Sequence, residues 1–178
     1  LFIQWGFSQV FPAKTMCAHV TTWNKNSSVK FRTDVAMMCK LGFDIKLADM
    51  SKDDETYCRT AVQNYNRLKP VVLEGDMYRL VSPYGSNHTS TMYVGKDKDK
   101  AAVFAFDIHP RYAEKILPVR LQGLDADKMY RVKEINLMPG SNSSLSGNGE
   151  VFSGEFLMNV GLNLFTTQQL NSRVIEVV

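Results

Sequence analysis

At about Gly75 the sequence changes its periodicity, and that change constrains the fold more than any other feature. Before it, short apolar runs alternate with stretches of helical spacing. After it, short extended segments follow one another with only turn residues between them. The first pattern suits a parallel sheet, whose strands need crossover helices. The second suits an antiparallel sheet, whose strands can be joined by tight turns. The expected fold class is therefore α/β over residues 1–75, then an antiparallel β-sandwich over residues 76–178.

In the first part, Met16 to Val20 reads as a buried strand. Val29 to Leu41 carries apolar residues at mostly helical intervals, and Gly42 supplies a stop. Phe43 to Leu47 alternates with period two and predicts a second strand. Ser51 is a good N-cap for a third segment, and Asp53, Asp54 and Glu55 suit the positive end of its dipole. Tyr57, Ala61, Tyr65 and Leu68 give that helix one apolar face, which Pro70 is expected to close.

In the second part, the candidate strands are Met77–Val81, Thr91–Val94, Ala101–Ile108, Ile116–Leu121, Met129–Ile135 and Arg173–Val178. The mixed-charge run Lys96-Asp97-Lys98-Asp99-Lys100 is a hairpin tip. Asp125-Ala126-Asp127 and Pro139-Gly140-Ser141-Asn142 mark further turns. No internal repeat or low-complexity linker separates the halves, so they are expected to pack on one another.

The 178 residues are 44% hydrophobic and carry a net charge of +3, with acidic and basic residues interleaved. That balance excludes disorder, and it excludes a dedicated nucleic-acid binder, which needs a basic stripe. No apolar run approaches the roughly 20 residues of a membrane-spanning helix. Cys17, Cys39 and Cys58 form no metal or redox motif and read as buried free thiols. Asn26, Asn87 and Asn142 open N-x-S/T triplets of a kind that arise by chance in such a chain.

His19 sits near the C-terminal end of its strand, the functional end in parallel α/β barrels, and it competes with a reading as a core histidine. His88 and His109 fall in loop-like contexts and are expected to be solvated. The three histidines make no metal site. Asp44 could face a barrel mouth or a helix, whereas Asp49, Asp53, Asp54, Asp125 and Asp127 suit loops, caps and turns. There is no phosphate loop and no nucleophile elbow. The residues on their own describe a two-part chain without a complete active site.

Several phrases occur in a particular order. They are Phe2-Ile3-Gln4-Trp5-Gly6, Phe11-Pro12, Met16-Cys17-Ala18-His19-Val20, Arg32 with Asp34 to Met38, and Lys40-Leu41-Gly42-Phe43-Asp44-Ile45. Gly75 to Leu80, Leu121 to Asp125, Tyr130-Arg131-Val132, Gly154, Leu157-Met158 and Gly161-Leu162 continue the series. This ordered set resembles the late barrel and C-terminal domain of family 36 glycoside hydrolases, nearly end to end. Cys17 replaces a usual Gly, and Asp44 a usual Glu.

The resemblance implies the last strands and helices of a (β/α)8 barrel over 1–75 and a C-terminal β-sandwich over 76–178. It implies a retaining α-galactosidase acting on terminal α-galactosides, with no metal or organic cofactor. The family's nucleophile and acid/base lie in K-W-D and S-D-N-T-D-like phrases that do not occur here, so no catalytic residue is assigned and the chain alone is expected to be inactive. By the alignment of Phe2-Ile3-Gln4 with the family pattern, the resemblance implies that both phrases lie upstream of Leu1. Met16 and His19 are the expected substrate-binding residues, in the wall of the sugar pocket. The partner is a galactoside bound through the whole barrel. An isolated pair of barrel strands would leave open edges, so two copies are expected to associate through residues 1–50. The competing reading is a non-catalytic β-domain that supports the barrel or binds carbohydrate.

Overall fold

The computed structural model describes residues 1–23 and 26–178. A short helix, α1 (Phe2–Phe7), precedes a parallel pair of strands, β1 (Cys17–Thr21) and β2 (Lys40–Asp44), joined through α2 (Val29–Ala36). A long helix, α3 (Lys52–Glu74), then leads into the second half. Both longer helices start where local chemistry places them. The Ser28 hydroxyl accepts from Phe31 N at 3.1 Å, and that of Ser51 accepts from Asp54 N at 3.1 Å. Each satisfies one orphan donor of a first turn.

Two helix ends differ from the sequence expectation. The α2 helix stops at Ala36, and the chain turns through Met37, Met38 and Cys39 into β2, so Lys40 and Leu41 are strand. A distant residue holds this turn: the Tyr65 hydroxyl donates to Cys39 O at 2.9 Å and accepts from Leu41 N at 3.2 Å. Apolar spacing continued past Ala36 because Met37 and Cys39 are fully buried in the turn itself. In α3, Pro70 does not end the helix, which runs on to Glu74. An interior proline costs about 3 kcal/mol. Beyond it Val71 and Val72 are buried against the sheet, at about 1.5–3 kcal/mol each, which offsets that loss.

The second half is one antiparallel sheet of six strands in the order β3-β4-β5-β8-β6-β7. These are β3 (Asp76–Val81), β4 (His88–Val94), β5 (Ala101–Asp107), β6 (Met129–Ile135), β7 (Val151–Ser153) and β8 (Asn171–Val177). The expected two-sheet sandwich is not formed. One face carries Tyr93, Phe104, Phe106 and Val174 and packs on α2 and α3. The other carries Met92, Val103, Val132 and Ile175 and is covered by loop residues such as Leu121, Leu145, Leu162 and Leu164, with Leu157 of a short helix, α4 (Gly154–Asn159). Irregular chain therefore supplies the layer that a second sheet would have supplied.

The expected strand Ile116–Leu121 is reduced to a bridge between Val119 and Leu162 and one bond from Leu121 N to Leu157 O at 2.9 Å. Pro118 removes a ladder donor from its middle. The charged tip between β4 and β5 falls where the sequence places it, with Gly95 N donating to Lys100 O at 2.8 Å.

Buried phenols tie α3 to α2, and the sheet to the α/β segment. Tyr57 donates to Asp34 Oδ1 at 2.8 Å and Tyr93 to Met38 O at 2.7 Å. Burial lifts the Tyr57 phenol well above its ordinary value of 10.0, and the Asp34 carboxylate adds to the shift. Burial likewise lifts Tyr93. Unfolded phenols lose their protons first, so this stability is complete below about pH 10 and is lost as the pH rises beyond it. The last part of the tyrosinate absorbance should thus appear together with loss of the helical circular dichroism. A full phenol titration with the dichroism intact would contradict it.

Candidate functional site

Strand alternation sorts the β1–β2 pair into two faces. Met16, Ala18, Val20, Leu41 and Phe43 pack with the cluster that includes α2 and α3. Cys17, His19, Lys40 and Asp44 lie on the other face and are exposed. In a parallel α/β unit, the face turned away from the helices is the one a barrel encloses. Asp44 lies on it at the C-terminal end of β2, paired in register with Thr21 of β1. The cysteine expectation holds for Cys39, which is buried; Cys58 is half-buried and Cys17 exposed, because alternation turns it to the open face.

His19 pairs in register with Gly42, and its ring lies across that glycine. A Cβ at position 42 would stand 2.1 Å from His19 Cδ2 and 2.6 Å from Nε2. Gly42 thus serves as a flat platform for the imidazole rather than as a helix stop. Arg32 on α2 donates to Thr21 O and secures the C-terminal end of β1 from behind.

Met16 turns the other way from His19. It lines a small cavity of about 20 Å³ with Leu1, Gln4, Trp5, Met38 and Met77. Gln4 Oε1 there is buried without a protein partner, and the space admits one water. The two residues lie three positions apart in sequence, yet the extended chain turns them to opposite faces.

Among the described residues, the acidic side chains that the sequence assigned to caps and turns lie apart from one another. Asp53, Asp54 and Glu55 occupy the first turn of α3. Asp125 accepts from Asp127 N at 3.1 Å within its turn. Among the described residues no group of three or more His, Cys, Asp or Glu side chains could hold a metal ion.

His88 departs from expectation. It is not solvated but 4% exposed, as the first residue of β4, opposite Asp107 of β5. Its Nδ1 lies 2.8 Å from Asp107 Oδ1, and its ring stacks on Phe165 with centroids 4.7 Å apart. Asp107 also accepts from Thr166 N, Thr166 Oγ1 and Asn171 Nδ2. His109 is exposed as expected and contacts Gln169.

Residues 88–177 match the family model of the glycosyl hydrolase family 36 C-terminal domain, and residues 1–75 match that of melibiase. Alpha-galactosidase 2 of Hypocrea jecorina is 32% identical over 179 residues, 97% of this chain and 22% of the relative. The probable alpha-galactosidase G of Aspergillus terreus is 31% identical over 98% of this chain and 23% of its own length. The crystal structure of the family 36 α-galactosidase AgaB from Geobacillus stearothermophilus superposes with a TM-score of 0.83 at 26% identity. It covers 98% of this chain and 23% of that one.

Fold and matches together define the class as a glycosyl hydrolase C-terminal β-domain joined to a melibiase-type α/β segment. The chain belongs to glycosyl hydrolase family 36. It spans under a quarter of the length of these relatives, which are α-galactosidases.

Proposed function

We propose that residues 1–75 form the closing strands and helices of a (β/α)8 catalytic barrel, that residues 76–178 form its C-terminal domain, and that the whole serves a retaining α-galactosidase. The observation that carries this reading is the β1-α2-β2-α3 unit. It has an apolar face against its helices and a polar face left open, as a slice of barrel wall should. His19, flat on Gly42 at that open face, is the candidate sugar contact; Met16, expected beside it, packs against the core cluster instead.

A retaining mechanism needs a nucleophile and an acid/base whose carboxyl groups stand about 5–5.5 Å apart. Neither family phrase occurs in this chain, so the galactoside would be cleaved by carboxylates that other strands of the barrel supply. The chain contributes pocket wall and support. Support is also the role favoured for the β-domain over carbohydrate binding, because both sheet faces are covered and no aromatic row lies open on either. The exposed apolar residues Phe2, Ile3, Phe7 and Phe11 lie instead on and just after α1, where the rest of a barrel or a second copy would cover them.

The test is hydrolysis of a chromogenic α-galactoside by this chain, and by a hybrid in which it replaces the matching segment of the Geobacillus enzyme. The chain alone should give no turnover above buffer, and the hybrid should cleave. A folded but inactive hybrid would overturn the assignment. Turnover by the chain alone would overturn its inactivity.

A further inference from the structure

Trp23 is the second residue beyond β1, at the C-terminal end of the parallel pair, and it is 91% exposed. Single exposed apolar residues are ordinary on protein surfaces, so exposure by itself decides nothing. What distinguishes Trp23 is its place and how that place is held. Arg32 of α2 donates to Thr21 O before the loop and, at 3.4 Å, to Ser28 O after it. One guanidinium thus fastens both ends of the connection that carries the indole, and the Ser28 side chain caps α2 at the far end.

Thr22, next to Trp23, lines a recess of about 380 Å³ between the segments that follow β1 and β2. Lys46 and Asp49, beyond the end of β2, line it too, and their side chains have no partner among the described residues. An indole beside an unengaged ammonium and carboxylate suits a molecule with an apolar C–H face and hydroxyls at its edge. A pyranose ring is such a molecule. We infer that Trp23 is a stacking platform for the sugar on the leaving-group side of the scissile bond, with Lys46 and Asp49 meeting its hydroxyls.

This role rests on the barrel reading proposed above, and that reading fixes the side. An enzyme that removes a terminal galactose takes that sugar into the barrel, on the face where His19 lies, and the rest of the substrate projects through the mouth. The loops after the strands build that mouth. Trp23 stands there, four residues past His19 and outside the strand. A contact so placed binds the leaving sugar without touching the reacting atoms, so its removal should raise KM and spare kcat.

The hybrid enzyme tests this with two substrates that share the galactose and differ beyond it. Melibiose carries a glucose as leaving group, and α-galactosyl fluoride carries no second sugar. Trp23→Ala should raise KM for melibiose about 5–15-fold with kcat unchanged, and should leave both constants for the fluoride as they were. Trp23→Phe should recover most of the loss. The melting temperature should stay within the range of surface substitutions. An equal effect on the two substrates, no effect on either, or a clear fall in melting temperature would overturn the platform while the hybrid, still active, upheld the barrel reading. A folded, unaltered hybrid that cleaves neither substrate would overturn the barrel reading itself, and the platform with it.

Discussion

Replacing Asp34 with alanine should destabilise the chain by about 3–5 kcal/mol, the cost of stranding partners of a buried charge. Asp34 is fully buried on α2. It accepts from Lys30 Nζ at 2.5 Å, Tyr57 Oη at 2.8 Å, Asn136 Nδ2 at 3.0 Å and Ser172 Oγ at 2.7 Å. Those donors come from α2, α3, the residue after β6, and β8, so one carboxylate joins the α/β segment to the sheet. Truncation takes the shared acceptor from all four, and only Lys30, which is partly exposed and also donates to Ser172 O at 2.9 Å, keeps a strong alternative. Small domains are stable by only about 5–15 kcal/mol, so the urea midpoint should fall by a large fraction or the chain should fail to fold. Asp34→Asn keeps the shape but leaves the Lys30 ammonium with only neutral acceptors at Ser172, and it should fall between wild type and alanine. A loss below about 1 kcal/mol for alanine would show that the network is not what joins the halves.

Phe104→Ala should cost about 3–5 kcal/mol through the cavity it leaves. Phe104 is fully buried at the centre of β5, with β4 on one side and β8 on the other. It meets Tyr93 edge to face, centroids 5.9 Å apart, within the core shared with α2 and α3. A site can shrink the loss only by collapsing, and here neighbouring strands fix the backbone while helices fix the roof. Phe104→Leu, which fills part of the volume, should recover much of the loss. The contrast is Phe156 on α4, also ring-stacked, on Phe152 at 5.2 Å, but 38% exposed. Its alanine variant should cost far less, because much of its surface already meets water. Equal thermal shifts for Phe104→Ala and Phe156→Ala would contradict the assignment of β5 as the doubly covered centre.

What was legible in the chain depended on how far each residue's partner lies along it. Ser51 marks the start of α3 because its acceptor role is completed three residues later. The Lys96–Lys100 tip is equally local, and once it is placed, counting outward along β4 and β5 sets His88 opposite Asp107. That was the available signal for the buried histidine, and reading its neighbourhood as loop hid it. The end of α2 had no such local mark. Tyr65, more than twenty residues away, holds the turn into β2. Pro70 misled for the same reason, since the valines that keep α3 helical beyond it do so only when packed on the sheet.

The candidate site divides along the same line. The sequence was enough to mark the run around His19 as a strand in a parallel α/β unit, because apolar run, helix and strand occur in order along the chain. Neither carboxylate phrase of the family is written in it, and that is the basis for proposing that the catalytic pair comes from elsewhere in the barrel. Which way each residue faces was set by the helices packed behind β1 and β2. They claim Met16 for the interior and leave His19 open, because a strand gives successive side chains to opposite faces and only burial chooses between them. Likewise, alternation and turns implied extended chain after Gly75, but not how many layers it would make. One sheet was sufficient because loops with well-spaced leucines could cover its second face. Burial of apolar area is indifferent to whether the cover is a strand or a loop, and that indifference is why the expected sandwich became a single sheet.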